Sequence, residues 1–299
     1  KPNFIIATTG RSMTALLAYA LSFKTGSIFF VDVRDIFSET ISDLLVRKNR
    51  LISHLAGSFF FRIEKIVLSR AIGVNVVSKG FLDYYSMNGL DVSEWTTFPN
   101  GIDDEFIELR DYSSKVANLP KKITYAGNIG HGQALERILP LVASKLAGQF
   151  DFVVVGGGGL SGKLKERVKE LNLDNFQVLP PVKRDKLIEI YKGSDILFLH
   201  LDDINAFKRV LPSKIFEYSC FEKPIVAGIS GYSKNFVNDN LPDALLFKPL
   251  DVEGCIAAII KASEVSIDLS TREKFITKYS RVSVMDKMSD HLISLQKYN

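Results

Sequence analysis

Residues 151–171, DFVVVGGGGLSGKLKERVKEL, decide the fold class of this chain. The run 151–155, apolar after Asp151, predicts a buried strand, and the four glycines that follow predict a tight turn. The spacing of apolar and charged residues over 164–171 predicts an amphipathic helix. A strand that is apolar on both faces and leads into a helix is typical of a parallel sheet covered by helices. The stretch therefore predicts an α/β fold.

The same alternation recurs along the chain. The predicted strands are 4–7, 27–33, 73–77, 122–125, 151–155, 176–179, 196–201 and 224–227. The predicted helices are 12–23, 41–70, 79–88, 133–146, 164–171, 183–192, 213–220 and 285–297. A Pro-Asn-Gly turn at 99–101 and a polar, irregular segment at 103–119 separate two blocks. We predict two Rossmann-like domains, 1–108 and 119–282, whose parallel sheets face each other across a cleft, followed by a C-terminal helix over 283–299.

Composition excludes several classes of protein. With 299 residues, 46% hydrophobic and 24% charged, the chain is neither disordered nor of low complexity. Two cysteines, Cys220 and Cys255, cannot form a secreted disulfide scaffold and favour a reducing compartment. The net charge of +4 is too small to indicate nucleic-acid binding, and the longest apolar candidate for a membrane span, 13–23, is too short. Because the chain opens directly in a strand, we expect a processed or truncated chain with an incomplete first domain.

The second glycine-rich turn matches two known patterns incompletely. Gly157, Gly159 and Gly162 fit the dinucleotide fingerprint G-x-G-x-x-G, but the next strand ends in Leu179-Pro180-Pro181, without the ribose-binding acid that the fingerprint requires. The same residues nearly spell a P-loop, with Leu164 in place of the hydroxyl that would bind Mg²⁺. A plain strand-to-helix turn explains the glycines equally well.

Two other segments predict an anion site. Residues 126–133 join a strand to a helix N-terminus through Gly127, Gly130 and Gly132, where free N–H groups favour a diphosphate. Pro212 and Ser213 begin another helix, in which the Ser213 and Lys214 N–H groups and the Lys214 ammonium form a second phosphate contact. Glu217 lies one turn further on the same face and is suited to accept hydrogen bonds from two ribose hydroxyls. A flexible turn and a surface ion pair are the ordinary alternatives.

A set of motifs carries a family resemblance. They lie at residues 33–39, 77–81, 98–103, 127–133, 155–159, 193–196, 212–218 and 223–226. Their order and spacing over about residues 4–290 resemble glycosyltransferase family 4, the retaining sugar transferases of the GT-B fold. Within it, the chain is most similar to bacterial transferases of polysaccharide and O-antigen assembly that transfer amino-sugars such as N-acetylfucosamine.

The resemblance implies that the second domain binds a nucleotide-sugar. Glu217 matches the second carboxylate of the family's E-x7-E motif, which binds the ribose. Lys214 and the glycine-rich turns match positions near the diphosphate, while the backbone at Pro181 and Val182 frames the base. The donor-binding residues predicted in this way are Gly127, Asn128, Gly130, Gly157, Pro181, Val182, Arg209, Ser213, Lys214 and Glu217.

The chain departs from the family pattern at two places. Arg209 stands where the motif has its first Glu, which leaves the donor sugar open and would assign Arg209 to a phosphate instead. Asn128 and Gln133 occupy the loop in which many members carry Arg and Lys, and Lys214 compensates in part. Retaining members have no agreed nucleophile, so His131, Asp35 and His54 are only candidates for catalysis. The resemblance implies no metal, and the sequence has no ligand cluster at metal spacing.

Between Leu44 and Gly80 the chain carries seven basic residues, one acidic residue and many apolar ones. A basic, apolar stretch suits an anionic bilayer surface, and a core helix with a charged outer face explains it equally well.

We predict a cytoplasmic glycosyltransferase, peripheral on the inner face of the plasma membrane. It would move a sugar from a UDP-linked donor to a glycan or lipid-linked acceptor, with no cofactor and no nucleic-acid partner. The alternatives are an NAD(P)-dependent oxidoreductase that uses the turn at 157–162 and a non-catalytic nucleotide-sugar-binding relative. The donor sugar, acceptor, linkage, oligomeric state and catalytic base stay open.

Overall fold

A computed structural model describes residues 2–10, 12–46, 49–110 and 120–297. The strands in this part of the chain are β1 Phe4–Thr9, β2 Ile28–Val33, β3 Gly73–Val76, β4 Lys121–Asn128, β5 Phe150–Gly157, β6 Phe176–Leu179, β7 Ile196–His200, β8 Ile225–Gly228 and β9 Leu245–Phe247. The helices are α1 Ser12–Thr25, α2 Phe37–Val46, α3 Arg50–Leu68, α4 Gly80–Met87, α5 Asp104–Glu108, α6 Leu135–Lys145, α7 Ser161–Glu170, α8 Arg184–Lys192, α9 Asn205–Arg209, α10 Lys214–Tyr218, α11 Gly231–Asn240, α12 Val252–Ala262, α13 Leu269–Tyr279 and α14 Arg281–Lys297.

The chain divides into two compact units, each of which is discontinuous in sequence. The first unit contains Lys1–Gly101, Ile204–Leu211 and Arg281–Asn299, and the second contains Ile102–Asp203 and Pro212–Ser280. The predicted division was 1–108, 119–282 and 283–299. In the structure α5 groups with the second unit, while α9 and α14 group with the first. Residues 111–119, which we predicted to be irregular, lie outside the described ranges.

The first unit is built on a parallel sheet with the order β1-β2-β3. Its core is formed by the apolar residues of β2 and β3, with Phe30, Val31 and Val76 fully buried. The single long helix predicted over 41–70 is wrong. Asn49 begins a new helix there, because its side chain accepts hydrogen bonds from the N–H groups of Leu51 (2.9 Å) and Ile52 (3.1 Å) and so caps α3.

Glu64 of α3 is the polar centre of the first unit. Its carboxylate is buried and accepts hydrogen bonds from Ser12 Oγ (2.9 Å), Ser38 Oγ (2.6 Å) and the Ser38 N–H (3.1 Å). Burial raises the pKa of Glu64, and these hydrogen bonds oppose that change. The carboxylate thereby joins α3 to the N-terminal ends of α1 and α2.

The second unit contains a six-stranded parallel sheet with the order β6-β5-β4-β7-β8-β9. The chain moves outward from β4 to β6, returns to the other side of β4 and then moves outward from β7 to β9. The order therefore reverses between β4 and β7. In open α/β sheets the ligand crevice lies outside the carboxyl ends of the strands at such a reversal. The predicted α/β class with two parallel, Rossmann-like sheets is confirmed.

Several elements after residue 228 were not predicted. β9 has three residues, too few to show a strand pattern. α13 reads as polar, yet its Arg272 is fully buried, with Nε 3.0 Å from Asp243 Oδ2. Charged residues are buried in this way only when they are paired, so the sequence pattern alone does not show that residue 272 faces the core. None of the helices in the described ranges is both long enough and apolar enough to cross a bilayer.

Candidate functional site

Two loops meet where the central strands of the second unit end. The first glycine loop, residues 127–133, begins in the last two residues of β4, and the second glycine loop, residues 156–160, begins in the last two residues of β5. The Ile129 N–H donates to the Gly157 carbonyl (2.8 Å), and the Leu160 N–H donates to the Ile129 carbonyl (2.9 Å). The two loops therefore form one hydrogen-bonded layer at the carboxyl edge of the sheet.

Glycine is required in this layer for backbone conformation and for space. Gly127, Gly156 and Gly158 have φ angles of +142°, +148° and +148°, which L side chains rarely adopt. A Cβ on Gly156 would overlap the Gly127 carbonyl oxygen, and one on Gly158 would lie 2.5 Å from the Ile129 carbonyl oxygen. Gly159 and Gly162 have neither restriction, since a Cβ there would meet nothing within 4 Å.

A cavity of about 330 Å³ opens beside the two loops. Its lining consists of Ala126, Gly127, Asn128, Val155, Gly156, Gly157, Pro181, Val182 and Leu187. Five of these residues were predicted from the sequence to bind the donor: Gly127, Asn128, Gly157, Pro181 and Val182. The structure therefore brings together the loop positions assigned to the diphosphate and the backbone assigned to the base.

Lys214, at the start of α10, brings a positive charge to the first glycine loop. Its ammonium lies against Gly127, so that a Cβ at Gly127 would overlap it, and sits 5.6 Å from the centre of the Tyr125 ring. Burial lowers the pKa of Lys214. The negative charge of Glu217 opposes this change, and none of the ion pairs in the described part of the chain includes Lys214.

Glu217 stands one turn after Lys214. Tyr191 donates its hydroxyl hydrogen to Glu217 Oε2 (3.2 Å). Burial raises the pKa of Glu217, while the positive charge of Lys214 and the Tyr191 hydrogen bond oppose that change. The carboxylate is half-buried and keeps acceptor sites for a ligand hydroxyl. Ser213 is exposed, and the helix predicted over 213–220 is a shorter turn of five residues, Lys214–Tyr218.

Gln133 organises the first glycine loop from within. Its side-chain oxygen accepts hydrogen bonds from the Gly130 N–H (3.3 Å) and from Asn128 Nδ2 (3.1 Å). Tyr125 donates its hydroxyl hydrogen to the Asn128 carbonyl (2.6 Å). The Gly130 N–H, which we predicted to be free for phosphate, is thus engaged inside the loop. His131, a candidate for catalysis, is exposed on the same loop.

His200 is a site residue that the sequence analysis missed. It ends β7, is fully buried and stacks against Phe198, with ring centres 6.5 Å apart. The Leu250 N–H donates to its Nε2 (3.0 Å), which leaves the ring proton on Nδ1, and Nδ1 donates to the Gln133 carbonyl (2.7 Å). One imidazole thereby ties the first glycine loop to the segment before α12.

Burial lowers the pKa of His200 from 6.5 to about 4. We therefore expect the second unit to lose stability as the pH falls from 6.5 towards 4, because the unfolded chain binds a proton that the folded imidazole does not. The neutral imidazole contributes on the order of 3 kcal/mol to the unfolding free energy. This contribution is fully present above pH 6.5 and is lost as the pH falls towards 4. Urea unfolding at about pH 7 and pH 4.5, followed by circular dichroism, measures it. His200→Asn should show a smaller loss on acidification, and an equal loss in both proteins would contradict the assignment.

The first unit contains the remaining predicted residues. Arg209 belongs to this unit, where its Nε lies 3.0 Å from Glu39 Oε2 and its guanidinium lies over the Tyr84 ring. Partial desolvation by the surrounding protein raises the pKa of Asp35 to about 6, although the side chain keeps contact with solvent. His54 is exposed on α3. The structure brings none of these three into the cavity of the second unit, and their roles stay predictions.

The incomplete P-loop pattern does not form a phosphate cradle of its own. Lys163 is exposed and Leu164 is fully buried in the core of the second unit. In the residues that the structure describes, no cluster of three or more His, Cys, Asp or Glu side chains could hold a metal ion.

Comparison with known proteins extends these findings. A family model described as "Glycosyl transferases group 1" matches residues 110–281, more than half of the chain. Among curated proteins, WcaI of Escherichia coli (strain K12), which carries the name of a colanic acid biosynthesis glycosyl transferase, is 24% identical over 225 residues. The match covers 72% of this chain and 54% of WcaI, so the chain spans about half the length of that relative.

Two solved structures share the fold across nearly the whole chain. Sucrose-phosphate synthase from Thermosynechococcus elongatus gives a TM-score of 0.79 at 14% identity, covering 99% of this chain and 74% of that one. Anabaena Alr3699/HepE, in complex with UDP and glucose, gives 0.74 at 13% identity, covering 97% and 78%. These likenesses confirm the predicted GT-B class of fold, with its two Rossmann-like units.

Proposed function

Because this chain belongs to the family of group 1 glycosyl transferases, we propose that it binds a UDP-sugar and transfers the sugar to a glycan or lipid-linked acceptor of a bacterial surface polysaccharide. Two relatives support the proposal: HepE holds UDP and glucose, and WcaI is named for colanic acid biosynthesis. Since the chain spans about half the length of WcaI, transfer by the complete protein is itself part of the proposal.

The position of Lys214 carries the proposal. Lys214 makes no ion pair among the described residues, and the charge of Glu217 offsets the cost of burying the ammonium only in part, so that a bound anion would stabilise it further. The ammonium lies against Gly127, at the point where the first glycine loop borders the cavity. A nucleoside diphosphate bound there would have its phosphates next to Lys214 and its base beside Pro181 and Val182.

This placement gives Lys214 a role in the chemistry. When the bond between the sugar and the diphosphate breaks, negative charge develops on the departing phosphate. A fixed ammonium stabilises that charge more than it stabilises the intact donor, and this lowers the barrier.

The proposal also includes retention of the anomeric configuration and an amino-sugar donor, both on the family resemblance. NMR of the product tests both. Transfer in the presence of a chelator tests the expectation that no metal is needed.

Glu217 is the proposed partner of the ribose hydroxyls. Tyr191 holds one carboxylate oxygen, so that the other is free to accept from the sugar of the nucleotide. We expect wild-type protein to bind UDP about tenfold more tightly than 2′-deoxy-UDP, since a hydrogen bond to a charged group contributes about 1.5–3 kcal/mol. Titration calorimetry of Glu217→Ala should show nearly equal affinities for the two nucleotides. If the variant still discriminates fully, the ribose is bound elsewhere.

A lipid-linked acceptor agrees with one surface of the first unit. Leu51, Leu55 and Phe59 form a stripe along α3 and are about 60% exposed or more, and Arg62 lies on the same face, one turn after Phe59. Apolar and basic residues on one helix face suit an anionic bilayer. We therefore place the protein, as a proposal, at the cytoplasmic face of the plasma membrane. Of the seven basic residues that the sequence has between Leu44 and Gly80, Arg47 and Lys48 lie outside the described ranges.

Vesicle sedimentation tests this surface. We expect wild-type protein to pellet with vesicles that contain phosphatidylglycerol and not with phosphatidylcholine alone. A double variant, Leu55→Glu with Phe59→Glu, should lose at least about tenfold in binding, because each buried apolar side chain contributes about 1.5–3 kcal/mol. Ile260→Glu, at an exposed apolar residue of the second unit, is the matched control. Equal binding by the double variant and the control would reject the proposed surface.

A further inference from the structure

β7 and the segment that follows it are connected to the first glycine loop. Two hydrogen bonds join them, and an ion pair joins the same segment to α6. His200 Nδ1 donates to the Gln133 carbonyl (2.7 Å), the Asp202 N–H donates to the Gly132 carbonyl (2.8 Å), and Arg137 pairs with Asp202 at 2.8 Å. The loop that borders the cavity is therefore held from the strand on the other side of the order reversal.

Gln133 connects His200 to the cavity lining by hydrogen bonds. Its backbone carbonyl is fixed by His200, and its side-chain oxygen fixes Asn128 and the Gly130 N–H, as described above. Asn128 lines the cavity. A change at the buried imidazole therefore reaches the cavity wall through two successive hydrogen bonds of one residue.

The surroundings of His200 hold the ring in one orientation. The ring stacks on Phe198 and on Phe247, with interplanar angles of 4° and 26°. A Cβ on Gly228 would overlap the imidazole Cδ2, so glycine is needed there to admit the ring. The Leu250 N–H fixes the second ring nitrogen at 3.0 Å. An ordinary core position would be filled by an apolar side chain, whereas here both ring nitrogens are used on backbone groups.

We propose that His200 is a positioning residue for the nucleotide: through Gln133 it keeps the first glycine loop in the conformation that receives the diphosphate. The inference rests on the proposed function, since it concerns the same site. His200 does not touch the ligand. Its contribution is that the loop is ordered before binding, so that the entropy of ordering is not lost when the nucleotide arrives.

Three variants separate the two ring nitrogens. In His200→Asn the amide nitrogen replaces Nδ1 and can still donate to the Gln133 carbonyl. In His200→Gln the amide replaces Nε2, so that the contact with Leu250 is kept and the contact with Gln133 is lost. His200→Leu removes both. Phe198→Leu disturbs the same buried layer while both hydrogen bonds of His200 are retained, and it serves as the control for loss of packing.

UDP affinity by calorimetry, hydrogen exchange of residues 128–134 and thermal unfolding test the proposal. We expect His200→Asn to bind UDP within about threefold of wild type, and His200→Gln and His200→Leu to bind about tenfold more weakly, with faster exchange confined to the loop. Phe198→Leu should lower the unfolding temperature and leave UDP affinity unchanged. The proposal is overturned if His200→Leu binds UDP like wild type, or if affinity follows thermal stability across all four variants.

The two proposals fail in different ways. If wild-type protein does not bind UDP, the proposed function fails. Hydrogen exchange of the free protein still tests the restraint in that case, because faster exchange in His200→Leu and His200→Gln, but not in His200→Asn, requires only the contact with Gln133.

Discussion

Lys214→Met is expected to weaken UDP binding by about 100-fold, because it removes a charged donor from a partly desolvated site, and such hydrogen bonds contribute about 1.5–3 kcal/mol each. Methionine is close to lysine in length and keeps an apolar stem, while the contact of the ammonium with the Tyr125 ring is lost. The same change removes a half-buried charge, and we expect the thermal stability of the free protein to stay equal or to rise. Titration calorimetry and thermal unfolding on the same samples measure both effects.

Two further lysine variants complete this test. Lys165→Met, at an exposed position of α7, changes the net charge equally and should leave UDP affinity unchanged. Lys214→Arg keeps the charge but places a larger group against Gly127, and we expect an intermediate affinity. UDP binding by Lys214→Met at the wild-type level would show that the diphosphate lies elsewhere.

Gly156→Ala is expected to have the second large effect. The residue has a φ of +148°, and a Cβ there would overlap the Gly127 carbonyl oxygen, a backbone atom in a paired strand. Strain of this kind and the movement needed to relieve it lead us to expect a loss of about 3 kcal/mol or more of unfolding free energy. UDP affinity should fall together with stability, because Gly127 is also the residue against which Lys214 lies.

The glycines of the dinucleotide fingerprint provide the control. Gly159→Ala and Gly162→Ala meet no atom within 4 Å, and we expect both variants to keep wild-type stability and UDP affinity. An NAD-binding loop would require these glycines for the approach of the pyrophosphate. Chemical denaturation of Gly156→Ala, Gly159→Ala and Gly162→Ala therefore distinguishes a dinucleotide-binding loop from the loop geometry described here. Loss of stability in Gly159→Ala with tolerance in Gly156→Ala would contradict the geometry described here.

Strand patterns allowed most of the second unit to be predicted. Runs such as 151–155 and 196–201 are apolar on both faces, and this alone indicates a central parallel strand. The helix break at Asn49 was missed because the apolar periodicity of 41–70 continues through it, while the cap depends on one side chain. The grouping of α9 and α14 with the first unit is a long-range property that no local pattern contains.

The site was predictable where function needs an unusual residue. Glycine at 127 and a lysine after a proline-serine helix start are visible in the sequence, and the structure places the glycine in the cavity lining and the lysine ammonium against it. His200 gave no such signal, because its partners Gln133 and Leu250 are 67 and 50 residues away and it contacts only their backbone atoms. The role of Gln133 was hidden for the same reason. Sequence reasoning treated it as a missing cation, while the structure shows that its amide orders the loop.

Calorimetric titration of the wild-type chain with UDP, GDP and NADH in parallel tests the central claim most directly. The proposed function predicts saturable one-to-one binding of UDP, weaker binding of GDP and no response to NADH. Saturable NADH binding without a response to UDP would contradict the proposed function and would return the turn at 157–162 to a role in dinucleotide binding.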